Sequence, residues 1–145
     1  MRIRPMTAAD ASHVADLTTQ LGYPTSPEET AERLSILVAL PEDHAALVAE
    51  EEEGRVVGWV HVATYTSLES GRVATIGGLV VGEGHRSGGI GAELLAAAED
   101  WARANGAGKM TVRSRVTRER AHRFYEREGY FLLKTSHVFE KRLVP

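Results

Sequence analysis

Leu79-Val80-Val81-Gly82-Glu83-Gly84-His85-Arg86-Ser87-Gly88-Gly89-Ile90-Gly91-Ala92 is the stretch on which the fold turns. An apolar run that reads as a strand feeds a glycine-rich turn. The turn opens directly into an amphipathic helix, residues 90–104, whose Ile90, Leu94, Ala97, Ala98 and Trp101 share one face. Glycines let the backbone approach a ligand, and the N–H groups of a first helical turn point outward with the helix dipole behind them. Such a turn is an anion site suited to phosphate, with Arg86 at its mouth as charge partner. A turn that only reverses the chain is the plain alternative.

Familiar phosphate signatures do not fit the stretch. Gly89-Ile90-Gly91 is followed by Leu94 where a dinucleotide fingerprint needs its third glycine, and Ile90 stands where a P-loop needs lysine. A nucleophile elbow fails too, because His85 occupies its first glycine position before Ser87.

Upstream, residues 2–5 alternate like a short strand. Thr7 with Asp10 forms a near capping box for a helix carrying Val14, Leu17 and Leu21, which Gly22-Tyr23-Pro24 ends. Ser26, Pro27 and Glu29 start a second helix, with Leu34, Leu37, Val38 and Leu40 as its stripe. Strands follow over 45–50, 55–65 and 73–81, the first two joined by a charged turn ending at Gly54. Beyond the 90–104 helix come a strand over 109–116, a helix over 118–128, and a final hairpin of residues 131–134 and 138–143. The order β-α-α-β-β-β-α-β-α-β-β gives a mixed α/β fold in a single domain over 1–145.

Composition narrows the function classes. The 145 residues include no cysteine, which excludes disulfides, thiolate metal sites and cysteine nucleophiles. The six histidines lack HxxxH or HExxH spacing, so no metal site is expected. No apolar run approaches the ~18 residues of a membrane span, and no leader is evident, so a cytoplasmic protein is expected. The net charge of −3 hides an asymmetry: residues 101–145 carry 11 Lys and Arg against 4 Asp and Glu, and residues 1–100 carry 6 against 16. That distribution suits a cation at one end of a site and a polyanion at the other, although sequence halves need not be spatial halves.

Two motifs in order now resemble the GCN5-related N-acetyltransferase (GNAT) superfamily. Arg86 to Gly91 fits its R/Q-x-x-G-x-G/A loop, and Ala121-His122-Arg123-Phe124-Tyr125-Glu126-Arg127-Glu128-Gly129-Tyr130 resembles its A-x-x-F-Y-e-x-x-G-F/Y segment. The resemblance covers nearly the whole chain. It implies an acyl-CoA N-acyltransferase fold with splayed central strands and acetyl-CoA as acyl donor. The pyrophosphate would lie on Arg86, Ser87, Gly88, Gly89, Ile90, Gly91 and Ala92, and the pantetheine arm beside the main chain of Leu79 and Val81. An amine would attack the thioester directly through a tetrahedral intermediate, with the Gly77-Gly78 bulge offering a backbone N–H to the oxyanion. Tyr125 matches the tyrosine that protonates the departing thiolate, and Phe124 would line the cofactor arm.

This chain departs from the family twice. Arg118 stands where many members carry a cofactor-contacting Asn, and either reaches CoA phosphates or merely caps its helix. Gly77 stands where many carry a glutamate base, so the base is unassigned. His61 is a candidate, mid-strand beside Trp59 and with an ordinary pKa near ~6.5, but a lone strand histidine is also a common structural residue. Glu28 and Glu29 belong to the helix dipole, and His122 to the surface. Tyr23, Pro24 and Thr25 would wall the acceptor site, with Gly77 beside it. The acidic front suits a cationic amine, to which Trp59 and Tyr65 would add cation–π contacts. The expected function is acetylation of a small primary amine. A catalytically silent acyl-CoA sensor and a peptide N-acetyltransferase are the alternatives, and neither nucleic acid nor membrane is an expected partner. A homodimer through the C-terminal hairpin's edge is possible on the family pattern.

Overall fold

A computed structural model describes residues 1–86 and 88–145, in two compact units, Met1–Val112 and Arg113–Pro145. The first unit is built on five strands: β1 (Arg2–Pro5), β2 (His44–Glu50), β3 (Val56–Ser67), β4 (Gly71–Val81) and β5 (Met110–Val112). They lie in chain order across one sheet. The first four are antiparallel neighbours, and β5 runs parallel to β4.

The helices are α1 (Ala11–Leu21), α2 (Pro27–Val38) and α3 (Ile90–Ala104). Capping chemistry sets their starts. The Glu29 N–H donates to Ser26 Oγ while the Ser26 N–H donates to Glu29 Oε1, with Pro27 at the first helical position. The Thr7–Asp10 box holds a short 3-10 turn that runs into α1, and Gly22 at φ +112° ends it. Asp10 is buried and salt-bridged: its carboxylate receives both guanidinium arms of Arg4, at 2.8 and 2.9 Å, and the Thr7 N–H at 2.8 Å.

One face of the sheet, with Val48, Val80 and Trp59, packs with Val14 and Leu17 of α1 and Leu34 of α2. The other face takes α3, whose Ile90 and Leu94 lie against Gly58. Val60, Val62, Leu94 and Ala98 are fully buried. The strand period of two therefore separates Trp59 and His61 from Val60 and Val62, which places the first pair on the face of α1 and α2. No helix among the described residues is long and apolar enough to cross a membrane.

The second unit holds α4 (Glu119–Arg127), which ends in a turn with Gly129 at φ +95° and the Tyr130 N–H donating to Tyr125 O.

Two expectations need correction. The strand read over 109–116 is Met110–Val112 only. The final hairpin does not form: residues 131–145 contain no strand and are exposed throughout. An isolated hairpin is marginal in water, and Thr135-Ser136-His137 lacks the glycine turn that would close one tightly.

Candidate active site

The β4–β5 ladder has three pairs, Ala74 to Ile76 with Met110 to Val112, and stops where β4 reaches Gly77. Beyond that point the outer edge of β4 has no ladder partner among the described residues, which is the local form of splayed strands. Backbone direction on this edge follows from pairing. The Gly82 N–H donates to Val57 O at 2.8 Å, and Gly58 opposes Val81. Alternation then turns the peptide groups of Leu79 and Val81 away from β3 and toward the open edge. Leu79 is left with an outward N–H and C=O, whereas Val81 O already accepts from Arg86 Nε at 3.3 Å.

The open edge leads into the glycine turn. Gly89 is the N-cap of α3 at φ +83°, a left-handed conformation that a side chain resists, and as glycine it brings no side chain to cap the helix. A Cβ at Gly84 or Gly89 would meet nothing within 4 Å. Among the described residues no side chain caps the first-turn N–H groups of Ile90, Gly91 and Ala92, and Arg86 and Gly88 close by are exposed. Those residues fit a phosphate-bearing group. Ser87 lies outside the described residues.

On β4 the register slips between His61 and Val62: His61 opposes Gly78, Val62 opposes Ile76, and Gly77 is the extra residue. The bulge turns both glycines to the face of Trp59 and His61. A Cβ on Gly77 would lie 2.6 Å from His61 Nδ1, and a Cβ on Gly78 would lie 2.6 Å from Trp59 Cη2. The position that lacks the family's glutamate is therefore covered by an imidazole from the neighbouring strand.

His61 is half-buried, and burial pushes its pKa below the ordinary 6.5, with His44 acting in the same direction. His44 was missed in the sequence. Its Nδ1 is 3.0 Å from His61 Nε2, with the rings stacked. The charged turn after β2 carried the signal, because it sets the hairpin register that makes 44 and 61 neighbours.

Other assigned residues are less collected. Trp59 packs against the core and shields Gly78, with its Nε1 buried and lacking a hydrogen-bond partner. Tyr23 is 58% exposed in the α1–α2 loop, where Thr25 Oγ1 donates to its carbonyl. Tyr65 is exposed. Glu29 is consumed by the α2 cap, as its place in the sequence suggested.

In the second unit, Tyr125 meets Phe124 and Tyr130 edge-on, with ring centroids 5.1 and 5.7 Å away. Burial holds its phenol above the ordinary 10.0, and the Arg118 charge pulls weakly the other way. Arg118 occupies the N-cap of α4 without a side-chain cap bond, and Arg127 lies over the Phe124 ring at 5.8 Å. His122 Nε2 is 2.8 Å from Arg115 O, which fits a donated N–H.

Comparisons with known proteins bear on the family and the fold. The sequence profile described as the Acetyltransferase (GNAT) family matches residues 12–130. An uncharacterized N-acetyltransferase of Bacillus subtilis (strain 168), YhfO, is 28% identical over 133 residues, covering 90% of this chain and 89% of that protein. The solved structure of AAC(6')-Iy in complex with the bisubstrate analog CoA-S-monomethyl-acetylneamine superposes with a TM-score of 0.85 at 18% identity, over 97% of each chain. Glucosamine-6-phosphate N-acetyltransferase from Arabidopsis thaliana gives 0.79 at 23% identity, over 99% of this chain and 98% of that one. Identities at this level show the shared fold.

Proposed function

The chain belongs to the GNAT acetyltransferase family, and from that premise we propose that it acetylates a small cationic primary amine with His61 as general base. It is an acyltransferase of a family that uses acetyl-CoA and transfers acetyl groups to amines. The observation that carries the finer reading is the open edge of β4. It joins the glycine-capped start of α3 to a bulge whose missing side chain is covered by an imidazole, the pKa of which burial lowers.

Acetyl-CoA, when bound, supplies an activated thioester. The uncapped N–H groups of Ile90 to Ala92 and the Arg86 guanidinium bind its pyrophosphate. Leu79, with Val81 beside it, pairs with the pantetheine amides through the outward main chain. His61 takes the proton of the attacking amine at Nδ1, and Tyr125 gives its phenolic proton to the departing thiolate. A phenol held above pKa 10 keeps that proton at neutral pH. On the family resemblance alone, Phe124 would line the arm and Arg118 would add positive charge for the phosphates. Tyr23 and Trp59 wall the acceptor side, where the excess of acidic residues over 1–100 favours a cation. The proposal treats residues 1–145 as one cytoplasmic catalytic domain.

The test is calorimetric titration with acetyl-CoA, followed by thiol release with neamine, spermidine and glucosamine-6-phosphate. Turnover of the two polycations above the anionic sugar supports the reading. Acetyl-CoA binding without turnover of any amine would make the chain an acyl-CoA sensor, and turnover of peptide amines alone would make it a peptide acetyltransferase.

The same family premise supports a homodimer in which residues 131–145 are covered by a second copy. Phe131, Leu132, Val138, Phe139 and Leu143 are each at least 79% exposed, a density of apolar surface that a soluble monomer rarely presents. Sedimentation of the full chain as a monomer at micromolar concentration would dismiss this assembly.

A further inference from the structure

His44 opens β2 and His61 lies in the middle of β3, and the pairing of the two strands makes them partners. His44 opposes Ala63 and Ala46 opposes His61, so the histidines are diagonal neighbours on one face of the sheet. Their rings lie 28° from parallel with centroids 5.2 Å apart, and His44 Nδ1 stands 3.0 Å from His61 Nε2. A nitrogen pair at that distance shares one proton, donated by one ring and accepted by the other.

The two nitrogens of His61 are thereby given different work. Nε2 is committed to His44, whereas Nδ1 lies beside Gly77, 2.6 Å from where a Cβ would be, at the position to which the resemblance assigns the family's base. A neutral imidazole carries its proton on one nitrogen only. If that proton sat on Nδ1, the ring would present a donor to the bulge and have no lone pair there to offer. We propose that His44 is a positioning residue: its Nδ1 accepts from His61 Nε2–H and so holds His61 in the tautomer whose free Nδ1 lone pair faces the reacting amine. The inference rests on the reading of His61 as general base and supplies what that reading lacks, a reason for the correct nitrogen to be free.

The proton count closes. The amine lone pair forms the C–N bond to the thioester carbon, and the amine N–H bond breaks as N–H forms at His61 Nδ1. The C–S electron pair leaves with sulfur, which would take the Tyr125 phenolic proton; the imidazolium's proton then goes to solvent and the phenolate regains one. The resulting imidazolium keeps Nε2–H donated to His44, so the charge is formed with a hydrogen-bond acceptor already in place. In this arrangement His44 carries its own proton on Nε2. The described residues that oppose the pair or pack on this face are uncharged. β4 contributes Gly77 and Gly78, β3 contributes Trp59 and Ala63, β2 contributes Ala46, and the α1 and α2 residues packed on this face are Val14, Leu17 and Leu34. Asp43, next to His44 in the chain, is 3.8 Å from Arg72.

Nitrogen-15 NMR of the imidazoles reads the tautomer of the wild-type protein directly and needs neither a variant nor a substrate. Protonated Nε2 and unprotonated Nδ1 at His61 are expected, with the lock lost in His44→Ala. Kinetics with acetyl-CoA and neamine, or spermidine if that is the better acceptor, give the second arm. His61→Ala should lower kcat by about a hundredfold, in the range of a lost general base. His44→Ala should lower kcat by about tenfold with the KM for acetyl-CoA unchanged, and alter the acid limb of the pH profile. His44→Asn, whose Oδ1 can accept from Nε2–H, should restore most of it. A proton on Nδ1 in the wild type overturns the inference. So does a His44→Ala enzyme with wild-type kcat and pH profile when His61→Ala is inactive, which leaves the base reading standing. Wild-type turnover by His61→Ala ends both.

Discussion

Alanine at Gly77 would put a methyl carbon 2.6 Å from His61 Nδ1, 3.1 Å from Cε1 and 3.3 Å from Cγ. Ordinary carbon contacts begin near ~3.5 Å, so the ring must retreat by roughly 1 Å. Retreat is not a matter of swinging a free tip, because Cγ is crowded as well and Nε2 is tied to His44. The ring leaves its rotamer well at about 0.5–1.5 kcal/mol and stretches or breaks a hydrogen bond of about 0.5–1.5 kcal/mol. Together these make a destabilisation on the order of 1–3 kcal/mol. Backbone strain adds nothing, since Gly77 is not among the residues at positive φ. For a domain of this size the melting temperature should fall by roughly 3–10 °C. The assay is a double-mutant cycle by thermal or urea unfolding. In a His61→Ala background the clash is gone, and Gly77→Ala should become neutral or stabilising by up to about 1 kcal/mol through the unfolded chain. The expected coupling is therefore about 1–3 kcal/mol. An equal cost of Gly77→Ala in both backgrounds would refute the claim that His61 fills the space of the missing side chain.

Tyr125→Phe should lower kcat by about a hundredfold with acetyl-CoA affinity nearly intact by calorimetry. Because burial raises the phenol's pKa, the alkaline limb of the wild-type profile should lie above pH 10. His61 also makes stability depend on pH. Its folded pKa is below 6.5, so under that pH the unfolded chain binds a proton that the folded chain resists, and stability falls as pH drops. Thermal melts from pH 8 to 5 should show the loss, and His61→Asn should flatten it. Asp10→Asn removes the carboxylate that receives two Arg4 arms and the Thr7 N–H, at a cost of about 2–3 kcal/mol in urea unfolding. The same carboxyl, held below 3.8 chiefly by Arg4, contributes stability at neutral pH that is lost as the solution is acidified through its lowered pKa.

Where structure depends on neighbours a few residues away, the sequence was readable. Ser26, Pro27 and Glu29 announced the start of α2, Gly22 the end of α1, and the glycine turn the start of α3 at Ile90. Where it depends on a partner strand, pattern alone overreached. Residues 131–134 and 138–143 have a strand's composition, yet no strand forms there. The apolar run at 109–116 contributes only three residues to the sheet.

The bulge is the more instructive failure. Read in one dimension, Gly77 is an absence, a position where the resemblance expects a carboxylate and finds no side chain. In the sheet, one extra residue on β4 turns two consecutive positions to the same face, where Trp59 and His61 already hold the space. Glycine there accommodates an imidazole from the next strand, and a side chain at 77 would displace it. Under the proposed function the base moves from β4 to β3, and His44, seventeen residues upstream of His61, is the partner that linear inspection had no means to pair.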